Sequence, residues 1–201
     1  MIQVQAEQVE RIHALLSEIP GGVTKALTGV INRAVGTART QVSRQIKRVY
    51  TVGDIRAHAT VWTRRAEAQH QVGEIGYAGC KVPLYRFHTV ERPARGGPVP
   101  VDLGGQWRMV TPGDAVSANV LRSGGARPLA GAFAATMASG HRGVFERETG
   151  EHDPIQEKMG PSVAQMAGNA VVMEAVERAA AKTIDETIDA EIHKILMGYG
   201  R

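Results

Sequence analysis

The chain has 201 residues, 43% of them hydrophobic and 22% charged, and a formal net charge of +4. That composition supplies a packed core and contains no run of about 18 uncharged apolar residues that would cross a membrane. The single cysteine, Cys80, excludes an intramolecular disulfide and an all-cysteine metal site.

The opening MIQVQAEQVERIHALL carries acids where a secretory signal would carry a basic end and an apolar run, so no export signal is expected. Residues 1–50 have helical periodicity. Val4, Val9, Ile12, Leu15, Leu16 and Ile19 recur at threes and fours, which predicts a short amphipathic helix. Pro20-Gly21-Gly22 ends it. A second helix is expected from an N-cap at Thr24 to Tyr50, with a stripe that includes Leu27, Val30, Ile31, Ala34, Val35, Ala38, Val42, Ile46 and Val49. Its small residues allow close packing and weaken it in isolation, so it needs a partner.

Residues 51–160 hold sixteen of the 23 glycines. The apolar period changes there to two. Strands are expected over Ile55–Trp62, Gln69–Tyr77, Val82–Phe87, Val99–Leu103, Val116–Val120 and Ala132–Met137, the last pairing with Gly143–Arg147 across Ser139-Gly140-His141-Arg142. Pro83 argues for an irregular or edge position. Arg92–Pro98 and Ser123–Pro128 are expected to be long hairpin loops.

Residues 161–201 open on Pro161-Ser162-Val163-Ala164-Gln165, a capping-box pattern, and continue as one long helix to about Met197 with Gly198 as its stop. The expected fold is α+β. A small antiparallel sheet with long hairpin loops packs against an N-terminal helical pair and a long C-terminal helix, in one domain spanning 1–201.

Catalytic and binding motifs are few. No phosphate-binding glycine loop is present, and GGVTKALTG at 21–29 has its lysine at the wrong spacing. The seven histidines form no HxxxH, HExxH or HxH pair. His141 and His152 with Glu146, Glu148 or Asp153 make at best a mixed metal site, and exposed loop residues are the better account. Ser139, His141 and Asp153 lack the spacing of a hydrolase triad, and Cys80 beside Lys81 is better read as an inert thiol. The chain is expected not to be an enzyme, with no catalytic, cofactor-binding or metal residue and no cofactor.

Charge is unevenly distributed. Lys25, Arg33, Arg39, Arg44, Lys47 and Arg48 stand in a stretch without acids, while residues 174–194 carry Glu174, Glu177, Asp185, Glu186, Asp189 and Glu191 against only Arg178, Lys182 and Lys194. Such asymmetry suggests that the two ends face each other or complementary neighbouring subunits. At 100° per residue Arg33, Arg44 and Lys47 share one sector of the second helix. A partner-facing surface is the preferred reading, and non-specific binding of DNA phosphates is the alternative.

Four segments resemble the prophage minor tail protein Z family of tailed bacteriophages. They are Val30–Ala34 with Thr40–Ile46, then Val82-Pro83-Leu84-Tyr85-Arg86-Phe87, the block GAFAATMASGHRGVFER at 131–147, and PIQEKMGPSV at 154–163. They occur in the family's order, and the last leads into a long helix. The resemblance implies a structural virion protein, a minor tail or tail-completion component at the head-proximal end of the tail that enables head–tail joining. It further implies a homo-oligomeric ring, usually hexameric, touching tail tube or tail terminator protein and head–tail connector proteins. The expected location is the virion, and the host cytoplasm during assembly. Candidate interface residues are Ser139, Gly140, His141, Arg142, Gly143 and Phe145 on the hairpin and Arg33, Arg44 and Lys47 on the basic helix.

Overall fold

A computed structural model describes residues 4–92, 99–102, 107–110, 115–147 and 154–198. The fold is mixed α+β, with an N-terminal helical pair, a long C-terminal helix and antiparallel strands between. The chain divides into two compact units. The first comprises the chain up to Ile46, Ala59–Ala78 and the chain from Ala164; the second comprises Lys47–His58 and Gly79–Val163.

Four helices, one of them short, and a hairpin make up the described residues of the first unit. Helix α1 (Ala6–Leu16) buries Ile12 and Leu16, and helix α2 (Gly22–Val49) follows the turn at 17–21. Gly22 opens α2, so Thr24 lies inside the first turn and is not the expected N-cap. The buried members of the α2 stripe are Ala26, Leu27, Val30, Ala34, Val35, Ala38, Val42 and Ile46, as the period requires.

The C-terminal segment is two helices, not one. Helix α3 (Val163–Ala167) starts directly after Ser162, as the capping-box pattern anticipates, but stops within five residues. Helix α4 (Ala170–Leu196) begins anew after Gly168-Asn169. Asn169 is extended (φ −62°, ψ 134°), and its side chain accepts a hydrogen bond from the Val171 N–H at 3.0 Å. An asparagine that caps locally offers the backbone an alternative to helix continuation, and the preceding glycine adds no resistance.

Helices α1 and α2 flank α4. Gln8 donates to Asp185, and Arg11 meets Asp189 at 2.8 Å, so α1 runs parallel to α4. Arg33 meets Glu191 at 2.9 Å and Thr183 donates to Thr37 at 3.2 Å, so α2 runs antiparallel to it. Strands β1 (Thr60–Arg64) and β2 (Glu74–Ala78) form an antiparallel hairpin with Trp62 opposite Gly76. Asn32 of α2 donates to the Ala66 carbonyl (3.1 Å) and accepts from its N–H (2.9 Å), which fixes this hairpin to the helix. The Tyr77 hydroxyl donates to the Arg39 carbonyl at 3.5 Å. Burial pushes the Tyr77 phenol above its ordinary value, and the Arg39 charge acts the other way.

The expected strand from Ile55 starts later. Residues Arg56–His58 form a 3-10 turn and the strand begins at Thr60. Alanines at 57 and 59 have weak β preference and little side chain to bury, so nothing keeps that stretch extended.

The second unit is built from short antiparallel strands: β3 (Lys81–Pro83), β4 (His88–Arg92), β5 (Val99–Asp102), β6 (Trp107–Val110), β7 (Ala115–Asn119), β8 (Arg127–Pro128), β9 (Ala132–Thr136), β10 (Arg142–Arg147), β11 (Ile155–Glu157) and β12 (Met159–Ser162). Among the described residues of this unit they pair as β11-β10-β9, β4-β7-β8, β12-β3 and β5-β6. The expected small sheet is thus several sheets of two or three strands. Between β3 and β4, Leu84–Arg86 is a 3-10 turn. Pro83 has no N–H to extend the ladder, and Val82, Leu84 and Phe87 are buried in place of a strict alternation. Val116, Ala132 and Val144 form a buried cluster, with Tyr85, Leu129 and Ala134 packed on it. The Arg92–Pro98 loop falls, from Pro93 on, outside the described residues.

Candidate interface: a pinned hairpin and a basic helix groove

The sequence-predicted hairpin forms in the expected register. β9 and β10 pair Phe133 with Phe145, Ala135 with Gly143 and Thr136 with Arg142. Its turn is closed by the Gly140 N–H on the Met137 carbonyl (2.8 Å) and the Met137 N–H on the His141 carbonyl (2.7 Å). Gly140 has φ +82°, a left-handed conformation that a Cβ would strain.

The six hairpin candidates separate into two groups. Ser139, Gly140, His141 and Arg142 are exposed, while Gly143 and Phe145 are buried. Phe145 packs on Phe133 with ring centroids 6.2 Å apart, and the His141 ring stands edge-on to it at 6.4 Å. Phe145 is therefore core of the second unit in this chain, not presented surface. Gly143 has no positive φ. A Cβ there would lie 2.6 Å from Glu157 Oε1 and 2.9 Å from Phe145 Cζ, so the position needs a glycine for room.

Three side-chain contacts set the hairpin's posture. His141 Nε2 meets Glu157 Oε1 at 2.8 Å on the neighbouring β11. Arg142 Nη2 donates to both Glu91 oxygens at 2.9 Å, and its guanidinium lies 5.1 Å from the Tyr85 ring centroid. Lys158 pairs with Glu146. These contacts were not readable from spacing, since Glu91 is 51 residues from Arg142. The Ser139 hydroxyl accepts from the His141 backbone N–H at 3.5 Å, so the imidazole's partner is Glu157 and not the serine. Asp153, His152 and Glu148 lie outside the described residues. Among the described residues no group of three or more His, Cys, Asp or Glu stands ready to hold a metal ion. No helix among them is long and apolar enough to cross a membrane.

The basic helix contributes differently at each candidate. Arg33 is tied through Nε to Glu191, a carboxylate only 4% exposed whose other oxygen faces Lys194 at 3.6 Å. Glu191 reaches this position by lying against Gly29, where a Cβ would come within 2.7 Å of Oε2. The basic and acidic ends of the chain thus meet here within one unit, one of the two outcomes that the charge asymmetry suggested. Arg44 is exposed and has no ion pair among the described residues. Lys47 is exposed in the last turn of α2, and its carbonyl accepts from Arg122 Nε at 2.8 Å.

A groove of about 500 Å³ runs between α2 and α4 in the first unit, edged by Arg33 and Arg44 and floored by Gly36, Thr37 and Thr40 with Thr183 and Thr187 opposite. Nothing in the sequence marks this groove, because threonines on a helix read as ordinary polar surface. Neither a scan against protein-family models nor searches of curated proteins and of solved structures returned a match for this chain.

Proposed function

We propose that this chain is a structural protein of a tailed-bacteriophage virion. In this reading it is a minor tail or tail-completion protein at the head-proximal end of the tail, enabling head–tail joining as a homo-oligomeric ring, and not an enzyme. Its partners are tail tube or tail terminator protein on one side and head–tail connector proteins on the other. The observation that carries the reading is the coincidence of the resembling block with one structural element. Residues 131–147 are the β9–β10 hairpin with its turn, and 154–163 are β11 and β12 leading into α3. The exposed tip, Ser139 to Arg142, is presented on a base fixed by the Glu91 and Glu157 contacts. A rigid presented tip loses little conformational entropy on docking.

The second reading is a non-specific DNA-binding protein using α2. Arg44, Lys47 and Arg48 favour it, since all three are exposed. Arg33 favours it less, because Glu191 already neutralises it. A salt-dependent retardation of DNA by the purified protein is the result that reading requires.

The decisive experiment is microscopy of particles from a phage deleted for this gene. Filled heads and complete, unjoined tails are expected, with joining restored by the purified protein. Normal joining in the deletion strain would overturn the assignment.

A further inference from the structure

The first unit carries two charged features on opposite sides, and apart from the Arg33–Glu191 pair neither has an ion-pair partner among the described residues. One is the α2/α4 groove. Arg44 stands exposed on its edge with no acid in the lining, and small residues at Gly36, Thr37 and Thr40 leave room for a helix to approach. The other is the outer ridge of α1. Glu7, Glu10 and Glu18 are exposed and unpaired among the described residues, with Ala14 between them. At 100° per residue Glu7, Glu10 and Ala14 form one stripe, opposite the buried Ile12 and Leu16, and Glu18 lies in the turn just beyond the helix. Arg33 and Arg44 are eleven residues apart on α2, and Glu7 and Glu18 are eleven apart along and just beyond α1.

The ridge and the groove do not reach each other inside one copy. Helix α1 is attached to α4 through Asp185 and Asp189, whereas the groove is on the side of Thr183 and Thr187. By the same 100° rule those pairs fall on roughly opposite faces of α4. Complementary features on opposite sides of one compact unit define a heterologous, head-to-tail contact, which closes into a ring or runs on as a filament.

We propose that the α2/α4 groove is a docking site for the acidic α1 ridge of a second copy of this chain. Arg44 and the exposed part of Arg33 meet the carboxylates of Glu7, Glu10 and Glu18, and the Gly36–Thr40 floor accommodates Ala14. The inference deepens the ring reading and rests on it only for the identity of the partner as another copy.

Sedimentation of the purified full-length protein over a range of concentrations tests it. Reversible association past the dimer is expected, weakening as salt rises. Arg44→Glu alone, and Glu7→Lys with Glu10→Lys in one chain, each weaken association by about tenfold or more. An equimolar mixture of the two variants recovers it, because each then offers what the other lacks. Thr40→Trp, which fills the floor without changing charge, weakens association as well. Thermal melting of each variant matches the wild type, since the altered side chains are exposed. A wild-type protein that stays monomeric, an Arg44→Glu variant that associates unchanged, or a mixture that does not recover would each overturn the proposal. Association as expected beside normal head–tail joining in the deletion phage would sink the tail assignment and leave the groove standing. A phage that needs the protein for joining while the purified wild-type protein stays monomeric would do the reverse.

Discussion

Gly143 and Gly140 are three residues apart and glycine for unrelated reasons. The turn residue is Gly140, at φ +82°. Gly143 sits in a regular strand, and what it excludes is a side chain between Glu157 and Phe145. A glycine in this block reads from sequence as a turn residue as readily as anything else, and Gly143 is not one. Gly143→Ala is expected to cost about 1–3 kcal/mol, the usual range for overpacking a filled interior. Ser139→Ala, at the exposed tip, should stay within about 0.5 kcal/mol of wild type. Urea unfolding of the two variants checks the contrast, and a Gly143→Ala protein as stable as Ser139→Ala would show that Phe145 and Glu157 move aside freely. The same residue-scale logic was hidden at Gly29. Nothing in the sequence announced that a buried Glu191 lies against it, because the two are on different helices and no local pattern links them.

At the scale of elements, periodicity was a good guide to α1, α2, α4 and the β9–β10 hairpin, since in each a continuous apolar face is buried against a partner. It failed where small residues thin the signal. Ala57 and Ala59 look like one face of a strand but bury too little to hold one. The C-terminal stripe reads as unbroken through Ala167 and Ala170, because local capping chemistry at Gly168-Asn169 leaves the apolar spacing almost untouched. Asn169 decides that break: its side chain satisfies the Val171 N–H, one of the orphan donors at the start of α4. Asn169→Ala is expected to destabilise the protein by about 1 kcal/mol, and Asn169→Asp to retain most of that contribution. Thermal or denaturant unfolding distinguishes them. Equal stability of the alanine variant and the wild type would mean that the cap contributes nothing measurable and that packing alone starts α4.

At the scale of the whole molecule the sequence order conceals the assignment of segments. The first unit draws on the beginning of the chain, on Ala59–Ala78 and on the C-terminal helices; the change of apolar period near residues 50 and 160 falls close to two of those joins, and nothing in the sequence marks the other two. Within that unit α2 depends on α4 for more than one ion pair. Arg33–Glu191 and Thr37–Thr183 place the two helices side by side. The buried Ile184, Ile188 and Ile192 of α4 add large apolar groups to a core in which α2 contributes Leu27, Val30, Val35, Val42 and Ile46 between its buried alanines. A 28-residue helix carrying Gly29 and Gly36 gives up roughly 1 kcal/mol at each glycine relative to alanine and has little stability of its own in water. A chain ending at Val163 is therefore expected to lose far more helical circular dichroism than the deleted helices account for, because α2 melts with them. The hairpin β1–β2 should lose amide protection in the same variant, since Asn32, which bonds Ala66, is on α2. If the signal fell only by the share of α3 and α4, α2 would be self-supporting.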